Sequence, residues 1–199
     1  MVIDTRLKEY ELDKSTFMGA WYINPHICEA LIDYFEASQD KVEGTCGDSQ
    51  GNPHVDKSIK DSTDISIKGN NFHGIIGIYR EELQKVLECY KQKYPEANNV
   101  EKFNIREYNI QKYAVNGGFK KWHSENGGNN QTIKRHLVFM TYLNDIEDDG
   151  GTEFLHQNIV TPCQKGLTLI WPAGWTHVHR GVVNETQEKY IITGWYEFE

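Results

Sequence analysis

Cysteine is sparse: four residues, at 28, 46, 89 and 163, with no C-x-x-C pair among them. A chain of 199 residues buries enough apolar surface to fold without covalent staples. Wide spacing in such a chain points to reduced thiols and a cytoplasmic setting, not to a disulfide framework. Long hydrophobic runs are missing as well. No stretch approaches the ~20 apolar residues that a membrane span requires, and the opening Met1-Val2-Ile3-Asp4-Thr5-Arg6 lacks the apolar core of a signal peptide. Net positive charge is also absent. A formal charge of −8 argues against a general nucleic-acid or anionic-membrane surface, because both need cationic patches, although it leaves room for a local basic groove. No internal repeat, heptad or low-complexity tract is visible. What is present, 38% hydrophobic and 12% aromatic residues, fits one folded globular domain over 1–199.

The first 23 residues are polar until Phe17-Met18-Gly19-Ala20-Trp21-Tyr22-Ile23, which suits a strand. Asn24-Pro25 reads as an N-cap followed by a first helical residue, and Ile27, Leu31, Ile32 and Phe35 recur at helical spacing, so a helix is expected over 25–37. Residues 38–73 are rich in Gly, Asp, Ser, Asn and Lys and read mostly as loop, with β-type residues only at Ile65 and Ile67. Within them, 57–64 is a candidate substrate-side segment, since long ordered loops often carry function. Leu83, Val86, Leu87, Tyr90 and Tyr94 form the stripe of a second helix that Pro95 ends. From Phe103 onward the texture changes to strands, expected near 105–115, 119–125, 135–144, 152–156, 158–161, 167–171, 177–180 and 189–198. Two helices followed by eight short strands predict an α+β chain whose core is a double-stranded β-helix, a cupin-like jelly roll, backed by N-terminal helices. The division expected is 1–103 for helical support and substrate-side loops and 104–199 for the core.

Trp122-His123-Ser124-Glu125 carries the first chemical signal. In a strand, His123 and Glu125 share a face, so one imidazole and one carboxylate would enter the same cavity. His177-Val178-His179-Arg180-Gly181 supplies further imidazoles, and on a strand His177 and His179 would share a face. Two His and one carboxylate converging from separate strands form the facial triad of non-haem Fe(II) oxygenases, which leaves metal positions open. Glu153, in Gly150-Gly151-Thr152-Glu153-Phe154, has no His two residues away and reads as structural.

The order H-x-E, Tyr142-Leu143-Asn144, Gly150-Gly151-Thr152-Glu153-Phe154, His179-Arg180-Gly181 and then Lys189 resembles the Fe(II)/2-oxoglutarate dioxygenase superfamily, in particular its prolyl 4-hydroxylase-like branch. The resemblance covers roughly Asn104 to the C-terminus. The pattern's carboxylate is Asp, whereas this chain has Glu125, whose extra methylene shifts the carboxylate. The resemblance implies Fe(II) held by His123, Glu125 and His179, with Lys189 ten residues after His179 as the cation for the distal carboxylate of 2-oxoglutarate. His177 would stand twelve residues away and take a supporting or substrate-side place. Thr193, on the same strand face as Lys189, is expected to donate to that carboxylate, with Tyr113 and Tyr142 near the co-substrate. The implied reaction consumes 2-oxoglutarate and O2, releases succinate and CO2, and hydroxylates an unactivated C–H bond, with ascorbate as an auxiliary reductant. A peptidyl proline is the substrate that the branch suggests; a free amino acid or small metabolite is the alternative. A cupin-like metal- or sugar-binding module without turnover stays open too, but it has no need of Lys189. The segments 57–64 and 126–131, with Arg180, Lys120 and Lys121, are the candidates for substrate choice.

Overall fold

The computed structural model describes residues 7–48, 52–98, 100 and 102–199. Its frame is a large antiparallel sheet. The main strands are β1 (Gly19–Tyr22), β2 (Thr63–Lys68), β3 (Glu107–Tyr113), β4 (Arg135–Tyr142), β5 (Thr152–Phe154), β6 (Ile159–Thr161), β7 (Leu167–Pro172), β8 (His179–Gly181) and β9 (Lys189–Phe198). In the large sheet the order is Lys8–Glu9, β1, β7, β4, β9, β3, β2 and Val42–Glu43, with Phe103–Asn104 paired to the end of β9. A smaller sheet runs β6-β5-β8.

Two helices cover one face of the large sheet. The first, α1 (Pro25–Ala37), has the bounds its sequence predicts: Asn24 caps it by accepting from the His26 amide, Pro25 opens it, and Ile27, Leu31 and Phe35 are buried. The second, α2 (Gly74–Lys93), extends the expected stripe backward through Ile76 and Tyr79. Period-two alternation in the strands then separates two cores. Phe139, Ile170, Ile192, Tyr108, Ile110, Ile65 and Ile67 pack with the helices. Val138, Met140, Tyr142, Leu169, Trp171 and Ile191 face the other way, toward Phe154 of the small sheet. The Phe154 and Trp171 rings meet edge to face at 5.3 Å, closing the space between the sheets. This is the double-stranded β-helix expected from the strand pattern.

The turn into β5 depends on glycine. Gly150 has φ +81°, and a Cβ on Gly151 would lie 1.7 Å from the Thr161 carbonyl oxygen, so no side chain fits where β5 pairs with β6.

Three sequence expectations change. The strand β2 lies inside the stretch 38–73 that reads as loop. It pairs along β3 with Asp64 buried against a cavity and Ser66 at its exposed rim, which is why its polar composition disguises it. The strand expected over 119–125 is only Gly118–Phe119, and His123 is held by an isolated bridge to His179. Trp175–His177 is a 3-10 turn and the strand begins at His179, so His177 and His179 do not share a face. The first half of the chain thus supplies β1 and β2 to the large sheet as well as both helices.

Candidate functional site

A cavity of about 590 Å3 opens between the two sheets. On its wall His123, Glu125 and His179 present one ligand atom each, all within 4.8 Å of one another. The backbone sets this meeting. His123 and His179 exchange N–H···O=C bonds of 3.0 and 2.9 Å, and the Glu125 amide donates to Ala173 at 3.1 Å, tying the 122–125 segment to the end of β7. An irregular segment held at both ends thereby does what a regular strand was expected to do.

The imidazoles are oriented by carbonyls. His123 Nδ1 lies 2.9 Å from the Lys121 oxygen, and His179 Nδ1 lies 2.8 Å from the His177 oxygen. A carbonyl only accepts, so each Nδ1 carries a proton and each Nε2 is turned inward. Those Nε2 atoms lie 3.4 and 3.5 Å from the same oxygen, Oε1 of Glu125. Burial would raise the Glu125 carboxyl, but the two imidazoles and the Arg135 guanidinium hold it well below the usual carboxylate range. Burial, with His123 alongside, lowers His179. Two imidazole nitrogens and an ionised oxygen converge, a set that a divalent cation would complete. With two nitrogens and one carboxylate, the donor chemistry fits Fe(II).

His177 takes no part in this convergence. Its Nε2 donates to the Thr16 carbonyl at 2.9 Å and its Nδ1 meets the Thr176 hydroxyl at 2.9 Å, so both ring nitrogens are already bonded. Its contribution is the backbone oxygen that orients His179.

Lys189 enters the same cavity from β9 and is 4% exposed. Its ammonium donates to the carbonyl oxygens of Gly150 at 2.8 Å and Val182 at 3.1 Å, and no carboxylate among the described residues lies within ion-pair distance of it. Burial lowers its pKa to about 8. A buried cation without an anion is costly, and an anionic group entering the cavity would offset that cost.

The other expected co-substrate residues also line the cavity, with their hydroxyls bonded to the protein. Tyr113 donates to Gln111 Oε1 at 2.6 Å, Tyr142 lies 2.8 Å from each hydroxyl of Thr152 and Thr161, and Thr193 donates to the Phe139 carbonyl at 2.9 Å. Glu153 is paired with Arg180 at 2.8 Å, as its structural reading requires, and this occupies the Arg180 that was a candidate for substrate. Arg180 also stacks on Trp122 at 4.5 Å, and Phe119 stacks on His123 at 3.8 Å. Of the expected substrate-side segments, Ile59, Lys60 and Asp64, and Gly127, Asn129 and Gln131, border the cavity, joined by Lys121.

Residues that sequence reasoning passed over are Arg135 and the indole N–H of Trp195, both bonded to Glu125. Trp195 stands an even number of positions from Lys189, so its cavity-facing side was readable. Arg135 returns to Glu125 only because the intervening loop closes, with Asn126 Nδ2 donating to the carbonyls of Ile133 and Arg135.

Residues 108–197 match the model of the 2OG-Fe(II) oxygenase superfamily. Among solved structures, the chain is similar to a Pseudomonas putida prolyl-4-hydroxylase, with TM-score 0.64 and 13% identity over 92% of each chain. It is also similar to the viral collagen prolyl hydroxylase of Paramecium bursaria Chlorella virus-1 in its 2OG complex, with TM-score 0.64 and 15% identity over 92% of this chain and 97% of that one. A Trichoplax adhaerens prolyl hydroxylase bound to a hypoxia inducible factor oxygen degradation domain peptide follows, with TM-score 0.63 and 15% identity over 92% and 84%. No curated protein sequence matches the chain significantly. The family match covers 90 of the 199 residues, and the solved structures share the fold. No helix among the described residues is long and apolar enough to cross a membrane.

Proposed function

We propose that this chain hydroxylates a prolyl residue of a peptide or protein, with His123, Glu125 and His179 holding Fe(II) and Lys189 holding the distal carboxylate of 2-oxoglutarate. The observation that carries this assignment is one cavity lined both by a His–Glu–His group able to ligate a cation and by a buried ammonium with no carboxylate at ion-pair distance among the described residues. Iron and 2-oxoglutarate held there would supply the oxidising power for a hydroxylation that yields succinate and CO2.

The chain's own residues do the rest. The carbonyls of Lys121 and His177 fix the imidazole tautomers. Tyr113 and Tyr142 wall the space between metal and anchor, as does Thr193, with their hydroxyls held in place. Trp171, packed edge to face against His179 at 5.2 Å, keeps that side dry. The outer cavity, bordered by 42–48 and 127–132, is open to a chain segment, and prolyl hydroxylation agrees with the structures this fold is similar to. The four free thiols, all buried, agree with a cytoplasmic setting.

The test is an anaerobic titration of the protein with Fe(II) and 2-oxoglutarate, followed in air by succinate release in the presence of proline-containing peptides. A visible charge-transfer band and peptide-stimulated succinate formation are expected. Stimulation by free proline alone would move the substrate to the amino-acid class. Metal binding without a band would support a cupin-like module and withdraw the oxygenase site.

A further inference from the structure

The carboxylate ligand expected from the sequence resemblance is Asp, and Glu125 brings one more rotatable bond. Left free, that longer arm could rotate its carboxylate or offer both oxygens to a metal. The structure removes this freedom. Oε2 of Glu125 accepts from Trp195 Nε1 at 2.9 Å and from Arg135 Nη1 at 3.2 Å, which leaves Oε1 alone facing the two imidazoles. Arg135 is itself fixed: the same Nη1 reaches the Glu125 backbone carbonyl at 3.0 Å, its Nε lies 3.8 Å from Glu197 Oε1, and the guanidinium lies flat over the Trp195 ring at 3.5 Å. Two strands support the arrangement, because Arg135 opens β4 and pairs with Glu197 of β9, while Trp195 pairs with Val138.

We propose that Arg135 and Trp195 are positioning residues that hold Glu125 as a one-oxygen ligand and thereby accommodate glutamate where the pattern has aspartate. The inference rests on the reading that the triad binds a metal. A merely structural role, in which Arg135 neutralises a buried carboxylate and Trp195 fills space, predicts a loss of stability with no change at the metal.

The experiment uses the full chain and Co(II) as a spectroscopic probe, with affinity taken from the visible absorption titration and folding from circular dichroism and thermal melting. Trp195→Phe keeps the ring under Arg135 and removes only the N–H; Arg135→Lys keeps the charge and loses the forked, stacked geometry. Both are expected to weaken Co(II) binding 10- to 100-fold, the range for loss of a partner that orients a ligand, and to alter the Co(II) spectrum as the carboxylate gains freedom. In a Glu125→Ala background, Trp195→Phe is expected to have no further effect on Co(II) affinity. Wild-type affinity and spectrum in a folded Trp195→Phe protein would overturn the proposal while leaving the triad intact. If that variant does not fold, an unchanged affinity and spectrum in Arg135→Lys overturns it equally. Failure of the wild type to bind Co(II) would remove the metal reading, and this proposal with it.

Discussion

The ammonium of Lys189 donates to the carbonyl oxygen of Gly150 at 2.8 Å and has no carboxylate at ion-pair distance among the described residues. Burial brings its pKa down to about 8 from an ordinary 10.5. Lysine binds the distal carboxylate only while protonated, so the affinity for 2-oxoglutarate is expected to fall about tenfold per pH unit once pH rises above about 8. Binding isotherms from pH 7 to 9.5 check this. An affinity flat across that range would rule out Lys189 as the anchor.

The same burial has a stability consequence of opposite sense. The folded pKa lies below the unfolded one, so the fold is penalised wherever lysine is charged. The penalty is fully present below pH 8 and disappears as pH rises from about 8 to 10.5. Its size is of order 3 kcal/mol at most, because each pH unit between the folded and unfolded values is worth about 1.4 kcal/mol. Lys189→Met is therefore expected to melt higher than the wild type at pH 7, and to lose that advantage by pH 10, while binding 2-oxoglutarate far more weakly. Urea unfolding of both proteins at the two pH values measures it.

His177 and His179 separate cleanly by substitution. His179→Ala is expected to abolish Fe(II) or Co(II) binding in a folded protein. His177→Ala should keep the metal and lose roughly 1–3 kcal/mol of stability, because it strands the buried Thr16 carbonyl. Metal titration and chemical unfolding of the pair decide it, and retention of metal by the His179 variant would sink the assignment of the distal ligand.

Lys60 and Asp64 form a buried ion pair on the cavity wall, both under 7% exposed, with the Ser62 hydroxyl donating to Asp64. Lys60→Met leaves a carboxylate without its cation and is expected to cost about 3–5 kcal/mol. A Lys60→Met/Asp64→Leu double variant should recover most of it. If the single variant unfolds at the wild-type urea midpoint, the pair is not energetically coupled.

Much of this was readable beforehand, because both helices and most strands carry periodic apolar stripes. The bounds of α1 followed from Asn24, Pro25 and the spacing of Ile27, Leu31 and Phe35. The strand β2 escaped because the face away from the core is polar. Asp64 is buried against the cavity and Ser66 is exposed, so alternation of Ile65 and Ile67 with polar residues looked like weak loop texture. The triad was legible from H-x-E and a distal His, although no regular strand runs through His123; a single bridge to His179 and a bond to Ala173 hold the segment instead.

Local pattern by itself determined the jelly-roll class, the two helices and the residue types available to the site, since these depend on side-chain type and on periods of 2 and 3.6, while the choice of His179 and Lys189 came from the family resemblance. Long-range packing decided which members of that set meet. His179 was separated from His177 by a 3-10 turn that points the latter at Thr16. Glu125 was given its partners by a closed loop and a strand register that place Arg135 and Trp195 beside it. Contacts between residues 10 and 70 positions apart leave no periodic trace in a sequence. They exist only once the sheet has formed.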